Sequence, residues 1–242
     1  MYPGKYAEQN PDRSAFVMAA TGERVSYQEF EARSNRVAHY LADKGLGFQD
    51  HYSIFMENNN RYLESCAAGE RSGLYFTCIN SFLTSDELAY IINNSESQIL
   101  ITSMSKLEAA QEALAQCTAI KEVLVVGAGD ADLPEGMSDF ASTLSKYPET
   151  PLERELLGAA MLYSSGTTGR PKGIVRPLPE QSPNEPLPVI GFLSGLWRYR
   201  EDMIYLSPAP LYHYAPQAAV GLTLRMGAVS YTHLRAHETA QY

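Results

Sequence analysis

Cysteine is scarce in this chain of 242 residues: Cys66, Cys78 and Cys117 are an odd number, far apart, with no C-x-x-C pair. That counts against a disulfide framework and against a zinc knuckle. Each thiol reads as core filler rather than nucleophile, in a reducing compartment. Long apolar runs are missing too. None approaches the roughly twenty residues of a membrane helix, so no integral membrane segment is expected. The opening "MYPGKYAEQNPDRSAF" has no apolar h-region, so no signal peptide is expected and the location reads as cytoplasmic. Basic residues are in short supply, 19 against 28 acidic, for a formal charge of −9. Phosphate backbones attract basic surfaces, so nucleic acid is not the expected partner. A small anion held by one local basic loop stays open.

What is present is a core-forming composition, 45% hydrophobic and 19% charged. "VSYQEFEARSNRVAHYLADKGLG" reads as a helix, opened by a Ser26/Glu29 capping box and ended at Gly45. Phe30, Val37 and Leu41 share one face. "HYSIFM" reads as a strand, "NRYLESCAAGERSG" as a helix with Tyr62, Leu63, Cys66 and Ala67 inward, and "LYFTCIN" as a strand. Thr84 and Glu87 form a second box before "LAYIINN", and "QILIT" follows as a strand. Ser105 and Glu108 suggest a third box, ahead of the strand "KEVLVVG". Such alternation predicts an α/β fold, with mostly parallel sheets flanked by helices. Residues 127–158 read as surface connection. "RPLPEQSPNEPLP" has five prolines in thirteen residues, which excludes a regular helix or central strand. Beyond it, "IGFLSGLWRYR" reads as a helix, "DMIYLS" as a strand and "QAAVGLTLRMG" as a helix.

The densest motif is "YSSGTTGRPKG", Tyr163 to Gly173. A Walker A loop fits it poorly. Pro171 precedes Lys172, Gly173 replaces the magnesium-binding hydroxyl, and "GIV" continues as a strand instead of a helix. The flanks predict strand, loop, strand. Without a helix dipole, anion binding must rest on backbone N–H groups freed by Gly166 and Gly169. Ser164, Ser165, Thr167 and Thr168 add hydroxyls, and Lys172 adds a mobile point charge for a terminal phosphate. The competing reading is a plain Gly/Ser/Thr turn with a solvated lysine. Arg170 and Arg176 receive no role. Trp197 and the tyrosines read as packing residues, and His39 and His51 as helix-face and strand-edge residues.

This motif resembles the phosphate-loop signature of the adenylate-forming enzymes, the acyl-CoA synthetases, aryl-CoA ligases, luciferases and adenylation domains. Residues 1 to about 228 share the resemblance, in the manner of bacterial fatty-acyl-CoA synthetases. "YLSPAPLYHYAP" is similar to the family's acyl-pocket motif. The resemblance implies an incomplete AMP-binding N-terminal domain over 1–228. It implies ATP, magnesium and coenzyme A as cofactors, and a fatty or aryl carboxylic acid activated as acyl-AMP and passed to coenzyme A. It assigns Ser164, Ser165, Gly166, Thr167, Thr168 and Lys172 to ATP, and His213 to the acyl carboxylate and adenylate. Many relatives carry a small residue where Tyr214 stands, which implies a differently shaped pocket. The rivals are a P-loop kinase or ATPase and a non-catalytic module of the same fold.

The ending "VSYTHLRAHETAQY" resembles the translated sequencing-adapter peptide that closes many unrelated sequences. Residues 229–242 are therefore expected to be non-native, and the family's later motifs, including its acidic magnesium residue and catalytic lysine, to be missing. His233 and His237 are four apart, but with no third ligand no metal site is expected.

Overall fold

The computed structural model describes residues 2–164 and 170–232. In chain order the elements are α1 (Gly4–Gln9), β1 (Ser14–Met18), β2 (Arg24–Ser26), α2 (Tyr27–Asp43), β3 (His51–Phe55), α3 (Tyr62–Ser72) and β4 (Tyr75–Cys78). Then come α4 (Ser85–Asn94), β5 (Ile99–Ser103), α5 (Leu107–Leu114), β6 (Glu122–Val126), β7 (Met137–Asp139), α6 (Phe140–Leu144) and β8 (Ala159–Ala160). The last stretch holds β9 (Leu162–Ser164), β10 (Lys172–Ile174), α7 (Pro188–Leu196), β11 (Ile204–Ser207), α8 (Tyr214–Arg225) and β12 (Val229–Thr232).

The main sheet has strand order β7-β6-β5-β3-β4-β8, and every pairing in it is parallel. Its inner strands are buried along most of their length because helices cover both faces. Alternation sends Ile54, Ile99, Ile101 and Leu124 into the core under α2 and α3. Phe55, Leu100, Val123 and Val125 point the other way, into the core under α4 and α5. A second sheet, β11-β12-β1-β2, is parallel except at β1–β2. Here β12 lies between β1 and β11. Buried Tyr27 of α2 ties this sheet down, donating to the carbonyls of Leu224 (3.1 Å) and Ala228 (2.8 Å). Gly227 makes the turn between α8 and β12 at φ +71°, and a Cβ there would meet the Tyr6 ring at 2.3 Å.

The two expected capping boxes form: Ser26 with Glu29, and Thr84 with Glu87. The third does not. Ser105 turns its hydroxyl to Glu57 instead, and a 3-10 turn at Met104–Lys106 makes Lys106 the residue that opens α5. A buried-end carboxylate that needs donors outcompetes a cap worth about 1 kcal/mol. The connection at 127–158 is also more ordered than a surface excursion. It supplies edge strand β7 and helix α6, whose Asp139 caps Ser142 N–H at 2.7 Å while Phe140 and Leu144 enter the core. α8 starts at Tyr214, earlier than expected, because Pro216 falls in its first turn, where its missing N–H costs nothing.

α7 is the outlier. None of its residues is buried, and Val189, Phe192 and Leu196 are exposed, followed by Trp197. Trp197 is 56% exposed, with its ring 6.3 Å from that of Tyr199, so it is not the buried packing residue its type suggests. The outer strand β11 likewise exposes Ile204 and Leu206.

Charge is buried at α3. Arg71 is fully buried and pairs with Glu31 (2.6 Å) and Glu155 (3.2 Å). Glu64 is 2% exposed, between Arg61 (3.3 Å) and Arg33 (3.9 Å). Burial pushes its carboxyl up to about 7, outweighing the two arginines, whose own side chains are partly in water. In the unfolded chain the same group ionises near 4.5. Between those values the unfolded chain gives up its proton first. The contribution of Glu64 to stability therefore falls as pH rises from about 4.5 to about 7, by roughly 3 kcal/mol in full, and is level above. Glu64→Gln is expected to flatten this slope and to raise stability at pH 8 but not at pH 4. Urea unfolding at the two pH values measures both, and equal slopes in the two proteins would refute it.

Candidate functional site

Parallel α/β sheets gather ligands at the carboxyl ends of their strands, and both expected site segments lie there. Edge strand β8 runs on through Met161, whose N–H donates to Phe76 carbonyl at 3.0 Å, into β9. β9 then pairs antiparallel with β10: Lys172 stands opposite Ser164, Gly173 opposite Tyr163 and Ile174 opposite Leu162. The two strands expected on either side of the motif are therefore present, and Lys172 lies in the second of them. Ser165, Gly166, Thr167 and Thr168 lie outside the described residues, as does the Ser164 side chain.

Two phenols, Tyr90 of α4 and Tyr163 of β9, tie the base of this hairpin to α4. Tyr90 donates to the Pro171 carbonyl at 3.0 Å, and Tyr163 donates to Asn94 Oδ1 at 2.8 Å. The Arg170 guanidinium lies 5.1 Å above the Tyr90 ring. Burial pushes the Tyr163 phenol up, so it stays a donor. Lys172 is exposed and makes no ion pair with any described carboxylate. Gly173 has a packing reason as well. A Cβ there would meet Met161 Cε at 2.3 Å and the Tyr163 ring at 3.1 Å. Gly173→Ala is expected to cost about 1–3 kcal/mol, toward the low end because the Met161 methyl can move. Chemical denaturation checks this, and a neutral result would mean that the Tyr163 ring does not fix the hairpin.

His213 is exposed, at the residue preceding α8, with no capping hydrogen bond from its side chain. Its ring lies 4.5 Å from that of Tyr212. Two residues missed by sequence reasoning hold this loop. Asn58, just past β3, accepts from Leu211 N–H at 2.9 Å and donates to the Ala209 carbonyl at 3.5 Å. Buried Gln217 donates to the Leu211 carbonyl at 3.4 Å. The signal for Asn58 was present, as three asparagines end a strand in "MENNN". Nothing in sequence marked Gln217. Beside Asn58, Glu57 accepts from the hydroxyls of Ser103 and Ser105, clasping the ends of β3 and β5. Burial opposes its charge, but these hydrogen bonds, with others from its own backbone and Asn59, hold the carboxyl below its ordinary value.

A cleft of about 400 Å³ opens beside β6 and β7, lined by Asn60, Arg61, Gly129 and Asp139 among others. It is at the opposite edge of the sheet from β8 and the hairpin, and holds neither Lys172 nor His213. Among the described residues no group of three or more His, Cys, Asp or Glu is placed to hold a metal. His233 and His237 lie outside the described residues.

The sequence profile of the AMP-binding enzymes ("AMP-binding enzyme") matches residues 5–239. The chain belongs to this family. A medium/long-chain-fatty-acid–CoA/3-oxocholest-4-en-26-oate–CoA ligase of Mycolicibacterium smegmatis is 30% identical over 169 residues, 68% of this chain and 30% of the relative. A 4-coumarate–CoA ligase of Petroselinum crispum is 27% identical over 221 residues, 89% of this chain and 39% of the relative. Among solved structures, ATP-bound MatB from Rhodopseudomonas palustris superposes with a TM-score of 0.71 at 26% identity, covering 96% of this chain and 45% of that one. This AMP-binding chain thus spans about a third of its curated relatives' length, and its fold is that of their N-terminal part. The family match is what separates the hairpin from a Walker A loop; the antiparallel β9–β10 pairing says the same thing physically. No helix of the described residues is long and apolar enough to cross a membrane.

Proposed function

We propose that this chain carries the triphosphate grip and part of the acid-binding wall of an ATP-dependent acid–CoA ligase. In this reading a carboxylate attacks the α-phosphorus of ATP, pyrophosphate leaves, and coenzyme A displaces AMP to give a thioester. Two anions must meet, so neutralising charge is the central task. Ser164, Ser165, Gly166, Thr167, Thr168 and Lys172 hold the β and γ phosphates. His213 stands beside the acyl carboxylate, and Tyr214 shapes the acid pocket. The observation that carries the reading is the hairpin itself, with Lys172 exposed at its base opposite Ser164. Magnesium would arrive with the triphosphate, since hard cations bind through phosphates and few carboxylates. No described residue is assigned to it or to coenzyme A.

The acid is read as fatty, supported by the M. smegmatis relative; the parsley relative keeps an aryl acid as the alternative. Cytoplasmic location belongs to the same proposal. Residues 229–242 are read as a departure from the family's own sequence. The family match runs to residue 239 and β12 completes a sheet, yet a slot of four residues asks little beyond β-prone types, which Val-Ser-Tyr-Thr supplies. The 242 residues alone are proposed to be inactive. The test is acid-dependent ATP–pyrophosphate exchange by the full-length parent with a panel of fatty and aryl acids. Fatty acids are expected to support it best; exchange with none of them would overturn the reading.

A further inference from the structure

The cysteines that read as isolated in sequence are not isolated in space. Cys66 on α3 and Cys78 at the end of β4 face each other with sulfurs 3.6 Å apart. Gln217 reaches both, with its Nε2 2.8 Å from Cys78 Sγ and 3.9 Å from Cys66 Sγ. The same amide donates to the Leu211 carbonyl, two residues before His213. Cys66 is buried, Cys78 partly exposed. Cys117, also partly exposed, packs against the core on the other face of the main sheet and donates to the Ala113 carbonyl at 3.3 Å. The fold therefore pairs two of the three thiols and keeps the third away.

We propose that Cys66 and Cys78 form a reversible disulfide, and that Gln217 carries its state to the His213 loop. The reagent is a small disulfide such as oxidised glutathione. Cys78, the accessible thiol, gives its proton to water and attacks one sulfur; the reagent's S–S bond breaks and one glutathione thiolate leaves. Cys66 then loses its proton and attacks Cys78 Sγ, expelling the second glutathione. Two protein thiols are oxidised to one disulfide, and one oxidised glutathione is reduced to two thiols. Burial pushes the Cys66 thiol up, which lowers the thiolate fraction available for the second attack. The Gln217 N–H beside both sulfurs favours the thiolate at each step.

Bonding brings the sulfurs from 3.6 Å to about 2.05 Å. Cys78 Sγ must turn toward Cys66 and away from the Gln217 amide. That amide then re-aims, and with it the carbonyl of Leu211 at the root of the His213 loop. The switch uses no residue that touches substrate, so Gln217 is a positioning residue.

The experiment exposes the native chain to oxidised glutathione, then counts free thiols and maps the linked peptides by mass spectrometry. Wild type and Cys117→Ser are expected to give one Cys66–Cys78 link, reversed by dithiothreitol. Cys66→Ser is expected to stop at glutathione on Cys78, and Cys78→Ser to leave Cys66 unreacted. All three thiols persisting, or Cys117 linked as often as the others, would overturn the proposal; the second pattern is what an unfolded chain would give. In the full-length parent, oxidation is expected to lower kcat/KM for the acid about tenfold in wild type and not in Cys66→Ala. This arm rests on the acid–CoA ligase reading, whereas the thiol map does not. A correct map with unchanged activity in an active parent would refute the coupling through Gln217. A parent inactive even when reduced would refute the ligase reading alone.

Discussion

Replacing Lys172 by alanine in the full-length parent is expected to lower kcat for ATP–pyrophosphate exchange about 10²–10³-fold, some 3–4 kcal/mol of transition-state stabilisation. The reasoning begins with its surroundings. Lys172 is exposed on β10 with no carboxylate partner among the described residues, so its charge is not committed to the fold. Its neighbours Pro171 and Gly173 are committed: Tyr90 grips the carbonyl of the first and Tyr163 packs on the second. The ammonium is thus presented by a fixed base beside the residues proposed to hold the triphosphate. Negative charge grows on the leaving pyrophosphate as the α-phosphorus is attacked, so the loss should fall on kcat more than on KM for ATP. Because the side chain is exposed, its removal should leave the melting temperature nearly unchanged. Lys172→Arg keeps the charge but changes its shape and is expected to recover only part of the rate. A Lys172→Ala enzyme with undiminished exchange would remove Lys172 from the phosphate grip.

Arg71→Ala is expected to have the largest effect on folding, a loss of about 3–5 kcal/mol. Arg71 is fully buried, bonded to Glu31 and paired with Glu155, with its guanidinium 5.1 Å above the Tyr2 ring. Tyr2 in turn donates to Glu155 at 2.7 Å. Burial, and to a lesser degree the Glu31 charge, raises the Glu155 carboxyl, and Arg71 is the main influence opposing them. Deleting the arginine leaves two carboxylates facing each other without a cation, in a site that joins α2, α3 and the segment before β8. Such a loss is a large part of a typical domain's stability. The triple variant Arg71→Met, Glu31→Gln, Glu155→Gln removes the charges together and is expected to regain most of it, since a filled neutral site avoids the desolvation cost. Denaturant titration of the three proteins decides. An Arg71→Ala midpoint close to wild type would mean that the paired charges contribute nothing net.

The parts of the site that could be read from sequence are those whose chemistry is local. "YSSGTTGRPKG" announces hydroxyls, glycines and one lysine within eleven residues, and a β-branched exit is enough to predict a strand after Lys172. His213 was visible because "PLYHYAP" frames it with prolines. The residues that hold these two segments were not visible. Tyr90 sits in a helix far from the hairpin in sequence, and Gln217 looks like an ordinary surface residue of a helix. Ser105 misled for the same reason: an S-x-x-E spacing promises a cap, but Glu57, 48 residues away, made a better offer of partnership. Trp197 is the converse case, a large aromatic whose type suggests burial and whose neighbours do not provide it.

By itself the sequence determined the alternation of strands and helices, two of the helix starts, the strands on either side of the glycine-rich motif and the family to which the chain belongs. Each follows from residues within a few positions of one another, where backbone preference and side-chain period act directly. Tertiary structure alone decided that β12 enters between β1 and β11, that Tyr90 and Tyr163 brace the hairpin, and that Cys66 meets Cys78 beside Gln217. Those outcomes depend on which apolar faces find each other when the two cores close, and burial is a property of the whole chain, not of any short stretch of it.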